Sequence, residues 1–131
     1  MAQKDIEVIL LRQLASYLAA PIYIVDSEGN LVFYNEPAEK LLGRRFEETG
    51  EMPAAEWGTI YKPTDDEGNV FEPERLPLMI AVTERRPAHA HYWMRGLDGV
   101  RRRISVTAIP LVGQAGKFLG AVAFGWETDE Q

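Results

Sequence analysis

The chain has 131 residues, 46% apolar and 26% charged, which suits one soluble globular domain able to bury roughly two-thirds of its unfolded surface. A net charge of −6 argues against nucleic-acid phosphate as a partner, and the absence of cysteine removes disulfides, zinc–thiolate sites and thiol nucleophiles. No apolar run reaches about 18 residues, and the N-terminus lacks an apolar core with a small-residue cleavage site; the expectation is a cytoplasmic protein that makes no membrane contact.

Asp5 stands where it can cap a helix running over about Ile6–Ala19. Ile6, Ile9, Leu10, Leu14, Tyr17 and Leu18 recur at i, i+3, i+4 spacing and form one apolar stripe, which Leu11 and Ala15 widen beyond the needs of packing on a single sheet. Residues 1–20 are therefore read as an amphipathic helix that either lies on its own sheet alone or, as the widened stripe favours, also pairs with a second protomer. Pro21 ends this helix and releases the first strand.

Two short apolar runs follow, Ile22–Val25 and Leu31–Tyr34, separated by the turn formers Asp26-Ser27-Glu28-Gly29-Asn30; together they predict a β-hairpin. Asn35 can accept a hydrogen bond from the open amides of a new helix. Glu36 suits its dipole, Pro37 is tolerated in its first turn, Leu41 and Leu42 pack inward, and Gly43 supplies a left-handed stop.

Between Arg44 and Trp57 the sequence reads as loops and short helical turns anchored by Phe46 and Trp57. Thr64-Asp65-Asp66-Glu67 matches a capping box, yet Gly68-Asn69 follows at once, so a turn is expected; it lacks the spacing of a calcium loop. Pro77 starts a helix to about Arg86, with Leu78, Met79, Ala81 and Val82 as its apolar face, and Pro87 ends it.

A three-stranded meander completes the domain. Ala90–Arg95 and Arg101–Pro110 are joined through Asp98-Gly99, and Gly113–Gly116 turns into Lys117–Glu127. Ile104, Val106 and Ala108 alternate with Arg103, Ser105 and Thr107, so the first set faces the core. The last strand is apolar on both sides and should be covered on both faces, by the core and by the N-terminal helix or a partner. Residues 128–131 are polar and expected to fray.

The hairpin, Asn35, short helix and Gly43 resemble the opening of a PAS domain, a sensory and signalling module. Asp66-Glu67-Gly68-Asn69 leading through Glu74 to Leu76-Pro77-Leu78, and the Leu97-Asp98-Gly99 turn, extend the likeness over about Leu18–Glu127. It implies an α+β fold over residues 21–127: a five-stranded antiparallel sheet of order 2-1-5-4-3, with short helices on one face and the amphipathic helix beside it. It also implies a cavity between the 77–86 helix and the sheet and a homodimer formed through the N-terminal helix; the residues themselves offer no catalytic constellation, so no enzymatic activity is expected. Family members often close on an Asp-Ile-Thr-like stretch before an effector. Trp126-Glu127-Thr128-Asp129 stands there instead, and the chain ends at Gln131, which implies output through association with another chain or an excised piece.

Trp57, Tyr61, Met79, Val82, Tyr92, Met94, Ile104, Val106 and Phe124 are the candidates to surround an apolar space beside the sheet, either filling it or leaving room for a small apolar or aromatic ligand. A docking module with a filled core and no ligand is the alternative. Adduct-forming flavin and thioester chromophores need a cysteine and are excluded, whereas non-covalent flavin remains open. His89 and His91, two apart on a strand, share a face and are weak candidates for a metal or haem ligand. They lack a third ligand, and Leu78–Arg86 holds no histidine. If Tyr92 and Met94 face inward, both histidines face out. Arg85-Arg86 and Arg101-Arg102-Arg103 read as solvated clusters with local ion pairs, and neither Ser27 nor Ser105 has a catalytic setting.

Overall fold

The computed structural model describes residues 6–128, so Asp5 and positions 129–131 lie outside the described residues. In chain order the elements are α1 (Ile6–Ala15), β1 (Ile22–Asp26), β2 (Leu31–Tyr34), α2 (Glu36–Leu42), α3 (Phe46–Thr49), α4 (Ala54–Trp57), α5 (Pro77–Thr83), β3 (Ala88–Arg95), β4 (Arg101–Val112) and β5 (Phe118–Glu127). Short 3₁₀ turns lie at Pro73–Arg75 and Gln114–Gly116. The five strands form one antiparallel sheet of order β2-β1-β5-β4-β3, the order expected.

The turns explain why the strands meet in register. In the β1–β2 turn, Asp26 Oδ1 accepts from the amides of Glu28 and Asn30, both at 2.9 Å, and Gly29 takes a left-handed φ of 88°. The same design recurs at Asp65, whose Oδ1 accepts from Glu67 and Asn69 at 2.9 Å while Gly68 sits at φ 86°. That second turn carries Thr64 alongside β3: Thr64 and Trp93 exchange backbone hydrogen bonds of 2.9 and 2.8 Å, and the Arg95 amide donates to Tyr61 O at 2.7 Å. The Trp93–Arg95 end of the outer edge of β3 is thereby paired.

Two helices are shorter than expected. α1 stops at Ala15 rather than Ala19 because the Ala15 carbonyl is claimed from outside the helix, by the Asn35 side-chain amide at 2.9 Å and by Leu18 N at 3.2 Å. α5 stops at Thr83 rather than Arg86. Arg85 turns left-handed (φ 55°) ahead of Pro87, so Arg85 and Arg86 lie past the last turn. Thr128, assigned to a frayed tail, is held at 2.9 Å from its amide to Arg103 O, and its hydroxyl accepts from the Arg103 guanidinium at 3.3 Å.

The sheet separates two apolar layers. On its inner face Tyr23, Val25, Leu31, Tyr34, Met94, Ile104, Val106, Ala108, Ala121 and Ala123 pack against the β2–β3 crossover. On the outer face Ile22, Ile24, Val32, Leu119 and Val122 pack against Val8, Leu11 and Ala15 of α1. A bulge in β5 sorts Leu119 to the outer layer: Leu111 pairs with Gly120 and Val112 with Phe118, leaving Leu119 unopposed.

Candidate functional site

The inner face of the sheet and the crossover enclose a cavity of about 70 Å³. The sheet contributes Tyr23, Tyr92, Met94, Ile104, Val106 and Ala123, and the crossover closes over them with Leu42, Trp57, Tyr61, Pro63, Leu76 and Leu78. Leu31 completes the wall from β2. None of these side chains carries a formal charge.

Local chemistry fixes the wall. Trp57 is buried, and its indole N–H donates to Gly29 O at 2.8 Å, tying α4 to the β1–β2 turn. Gly43 ends α2 at φ 79°, and Leu42 O then accepts from Leu97 N at 2.7 Å while Leu41 O accepts from Arg102 at 3.1 Å. The Arg102 guanidinium also bonds Asp98 at 3.2 Å, which holds the Asp98 carboxyl below the usual carboxylate range. The α2 end of the cavity is thus latched to the β3–β4 hairpin.

Tyrosine hydroxyls are the polar content of this wall that the fold leaves unsatisfied. Tyr23 and Tyr61 are 8% and 7% exposed, and neither buried hydroxyl has a protein partner. Nearby Tyr34 shows the contrast: its hydroxyl donates to Arg44 O at 2.9 Å and lies 3.0 Å from Thr49 Oγ1. Burial raises the phenol pKa of Tyr23, Tyr61 and Tyr92 far above its ordinary value, so all three stay protonated at neutral pH.

Of the nine residues nominated from sequence, six line the cavity: Trp57, Tyr61, Tyr92, Met94, Ile104 and Val106. Met79 and Val82 pack on the inner core without reaching it, because α5 turns Leu78 and Ala81 inward instead. Phe124 is a correction. It lies on the outer face with the α1 layer, while Ala123 takes the inner place beside it on β5. Tyr23 was missed because β1 is apolar on both faces; the hairpin register, which sets Tyr23 opposite Tyr34, is the signal that places it inside.

His89 and His91 are exposed on β3, edge to face at 4.9 Å between centroids, with His89 Nδ1 2.7 Å from Thr107 Oγ1. They point away from the cavity, and no cluster of three metal-ligating side chains occurs among the described residues. No histidine lines the cavity, and 70 Å³ is far below the roughly 300–1,000 Å³ of pockets that hold drug-sized ligands; neither haem nor flavin fits the wall as it stands. The arginine clusters are engaged locally: Arg101 stacks over Trp93 at 4.1 Å, and Arg103 donates to Asp66 at 3.0 Å.

A second surface lies on α1. Val8 and Ala15 face the sheet, while Ile6, Ile9, Leu10, Leu14, Tyr17 and Leu18, the stripe nominated for a dimer interface, are 39–80% exposed. Among the described residues no helix is long and apolar enough to cross a membrane.

Comparison with known proteins agrees with this architecture. No curated protein matches the sequence at a significant level. Solved structures with the same fold include a PAS domain from Colwellia psychrerythraea, at 19% identity and TM-score 0.66 over 95% of this chain and 98% of that one. The PAS domain of Bordetella pertussis BvgS aligns at 18% identity and TM-score 0.58, over 95% and 88% of the two chains. A Rhodobacter sphaeroides LOV protein aligns at 14% identity and TM-score 0.70, over 95% of this chain and 69% of that one. The model of the PAS fold family matches residues 16–131, and with the sheet order and crossover described above it places this chain in that family: the protein is a PAS-fold sensory and signalling domain.

Proposed function

We propose that this domain senses a small molecule held in the inner cavity and reports it through association of α1 with a second copy of the chain. The observation that carries the sensing half is the cavity itself, an open space with unsatisfied hydroxyls inside an otherwise packed core. The reporting half rests on the exposed α1 stripe. A two-fold interface sets the same patch against itself, and a run of six large apolar residues suits self-association better than solvent. No catalytic step enters this reading.

A ligand shifts the output only if it favours one arrangement of sheet and helix over another. The route available is short. Tyr23 in the cavity wall follows Ile22, whose amide donates to Asn35 Oδ1 at 3.0 Å, and Asn35 Nδ2 donates to the carbonyls of Ala15, at the end of α1, and of Ala20, in the segment that leads to β1. Native mass spectrometry of gently purified protein tests both halves at once. A dimer carrying extra mass that is lost on denaturation is expected, and Leu10→Glu with Leu14→Glu should yield a folded monomer. A monomeric wild type would overturn the α1 reading. A ligand-free dimer that Leu10→Glu with Leu14→Glu dissociates would favour a docking module with no ligand.

A further inference from the structure

We propose that the cavity recognises a small neutral molecule bearing hydrogen-bonding nitrogen or oxygen, of about three to five non-hydrogen atoms, clamped between the hydroxyls of Tyr23 and Tyr61. This rests on reading the cavity as the ligand site and narrows the ligand from "apolar or aromatic" to a compact polar class.

Size sets the first limit. At about 70 Å³ the space is roughly half of the ~150 Å³ that accommodates benzene in an engineered protein cavity. Charge sets the second. No side chain in the wall is ionised, and an unpaired ion desolvated there would cost far more than its contacts return.

Hydrogen bonding sets the third limit and separates this class from hydrocarbons. Each phenol offers one O–H donor and an accepting oxygen. The fold satisfies the neighbouring polar groups, Trp57 Nε1 on Gly29 O and Tyr34 on Arg44 O, yet leaves Tyr23 and Tyr61 without protein partners at more than nine-tenths burial. Tyr23 and Tyr61 both line the cavity, and Tyr92 stands in the same wall. Phenylalanine would fill both positions equally well if packing were their purpose. A hydrocarbon ligand would leave both hydroxyls unpaired, the situation in which a polar site discriminates most strongly.

Pyrazole, neutral and carrying an adjacent donor and acceptor, and thiophene, a five-membered ring of similar shape with neither strong group, make a matched pair of probes. Each is titrated into the full chain while methyl and amide resonances of Met94, Ile104, Val106 and Ala123 are followed by NMR. Pyrazole should bind at least 10-fold more tightly than thiophene, and Tyr23→Phe with Tyr61→Phe should erase or reverse that preference. Equal or tighter thiophene binding to the wild type would overturn the hydrogen-bonding inference while leaving the cavity as a ligand site. If neither probe moves the cavity resonances, the ligand-site reading falls and this inference with it. Should the Phe variants keep the wild-type preference, the assignment to Tyr23 and Tyr61 is wrong.

Discussion

The side-chain amide of Asn35 donates to the Ala15 carbonyl across 2.9 Å, joining the N-terminus of α2 to the C-terminus of α1, twenty residues earlier in the chain. Its other capacities are used as fully. Nδ2 also donates to Ala20 O at 2.9 Å, and Oδ1 accepts from Ile22 N at 3.0 Å and Ala38 N at 3.2 Å. One buried residue, 2% exposed, therefore caps one helix, ends another and fixes the start of β1.

Asn35→Asp divides these roles. The carboxylate keeps both acceptor contacts and loses both donors, leaving two carbonyls facing a negative charge. We expect α1 to lose hydrogen-exchange protection while α2 keeps it, with stability falling by about 3 kcal/mol or more, because the buried carboxylate has no counter-charge. Asn35→Ala removes all four bonds and should unprotect both helices. Equal protection of α1 in wild type and Asn35→Asp would show that Val8, Leu11 and Ala15 hold the helix without the amide.

How much of this was legible follows from which signals are local. Asp26–Asn30, Asp65–Asn69, Asn35 and Gly43 act within a few residues of themselves, and their turns and caps were readable. So was the alternation of β4, where Ile104, Val106 and Ala108 reach the inner core. β1 and β5 carry no alternation, and face assignment failed there. Size misled as well: Phe124 was placed inside, but the crossover sits close to β5, so small Ala121 and Ala123 face it and the large side chains face α1. For α1 the widest stripe was legible, yet the narrower Val8–Leu11–Ala15 row meets the sheet. Periodicity identifies an apolar face without saying what covers it.

The bulge in β5 offers a sharp test of the close approach between β5 and β1. Gly120 has φ 140°, and a Cβ there would run into the Val25 carbonyl oxygen. Gly120→Ala should therefore destabilise by ~4 kcal/mol or more, or abolish soluble expression. Gly99→Ala is the control: its φ of 83° is also left-handed, but nothing lies within 4 Å of the added methyl, so only about 1–2 kcal/mol of backbone strain is expected. Denaturant melts of both variants decide the matter, and a mild Gly120→Ala would mean that β5 can shift away from β1.

The pH dependence of stability has a separate origin at each end of the scale. Hydrogen bonds from Arg103 and Trp93 lower the Asp66 pKa below its ordinary value. A lowered carboxyl pKa contributes stability that is complete above the unfolded value near 4 and is lost as pH falls through the folded value. Asp66→Asn should flatten that acid limb, modestly, because the carboxylate is solvent-exposed. Burial raises the phenols of Tyr23, Tyr61 and Tyr92, so their contribution is complete below pH ~10 and disappears as pH climbs beyond it. Ultraviolet titration should find these three ionising only with unfolding. Early phenolate absorbance from all five tyrosines in the still-folded protein would contradict their burial.

The unpaired hydroxyls carry a consequence for the ligand-free protein that is opposite in sign to their role in binding. A buried hydroxyl without a partner is a desolvation cost, and phenylalanine keeps the ring while removing it. Tyr23→Phe and Tyr61→Phe should each stabilise the free domain by about 1 kcal/mol, which for a chain of this size raises Tm by roughly 3–5 °C. Tyr34→Phe serves as the reference, since its hydroxyl bonds Arg44 O and Thr49 and its loss should destabilise by a similar amount. The two signs together distinguish unpaired hydroxyls from satisfied ones, because a hydroxyl that has a partner predicts no gain from Phe. Thermal melts in which Tyr23→Phe and Tyr61→Phe fall below wild type would mean that ordered water already satisfies those hydroxyls, and the cavity would then hold its own solvent in place of a sensed molecule.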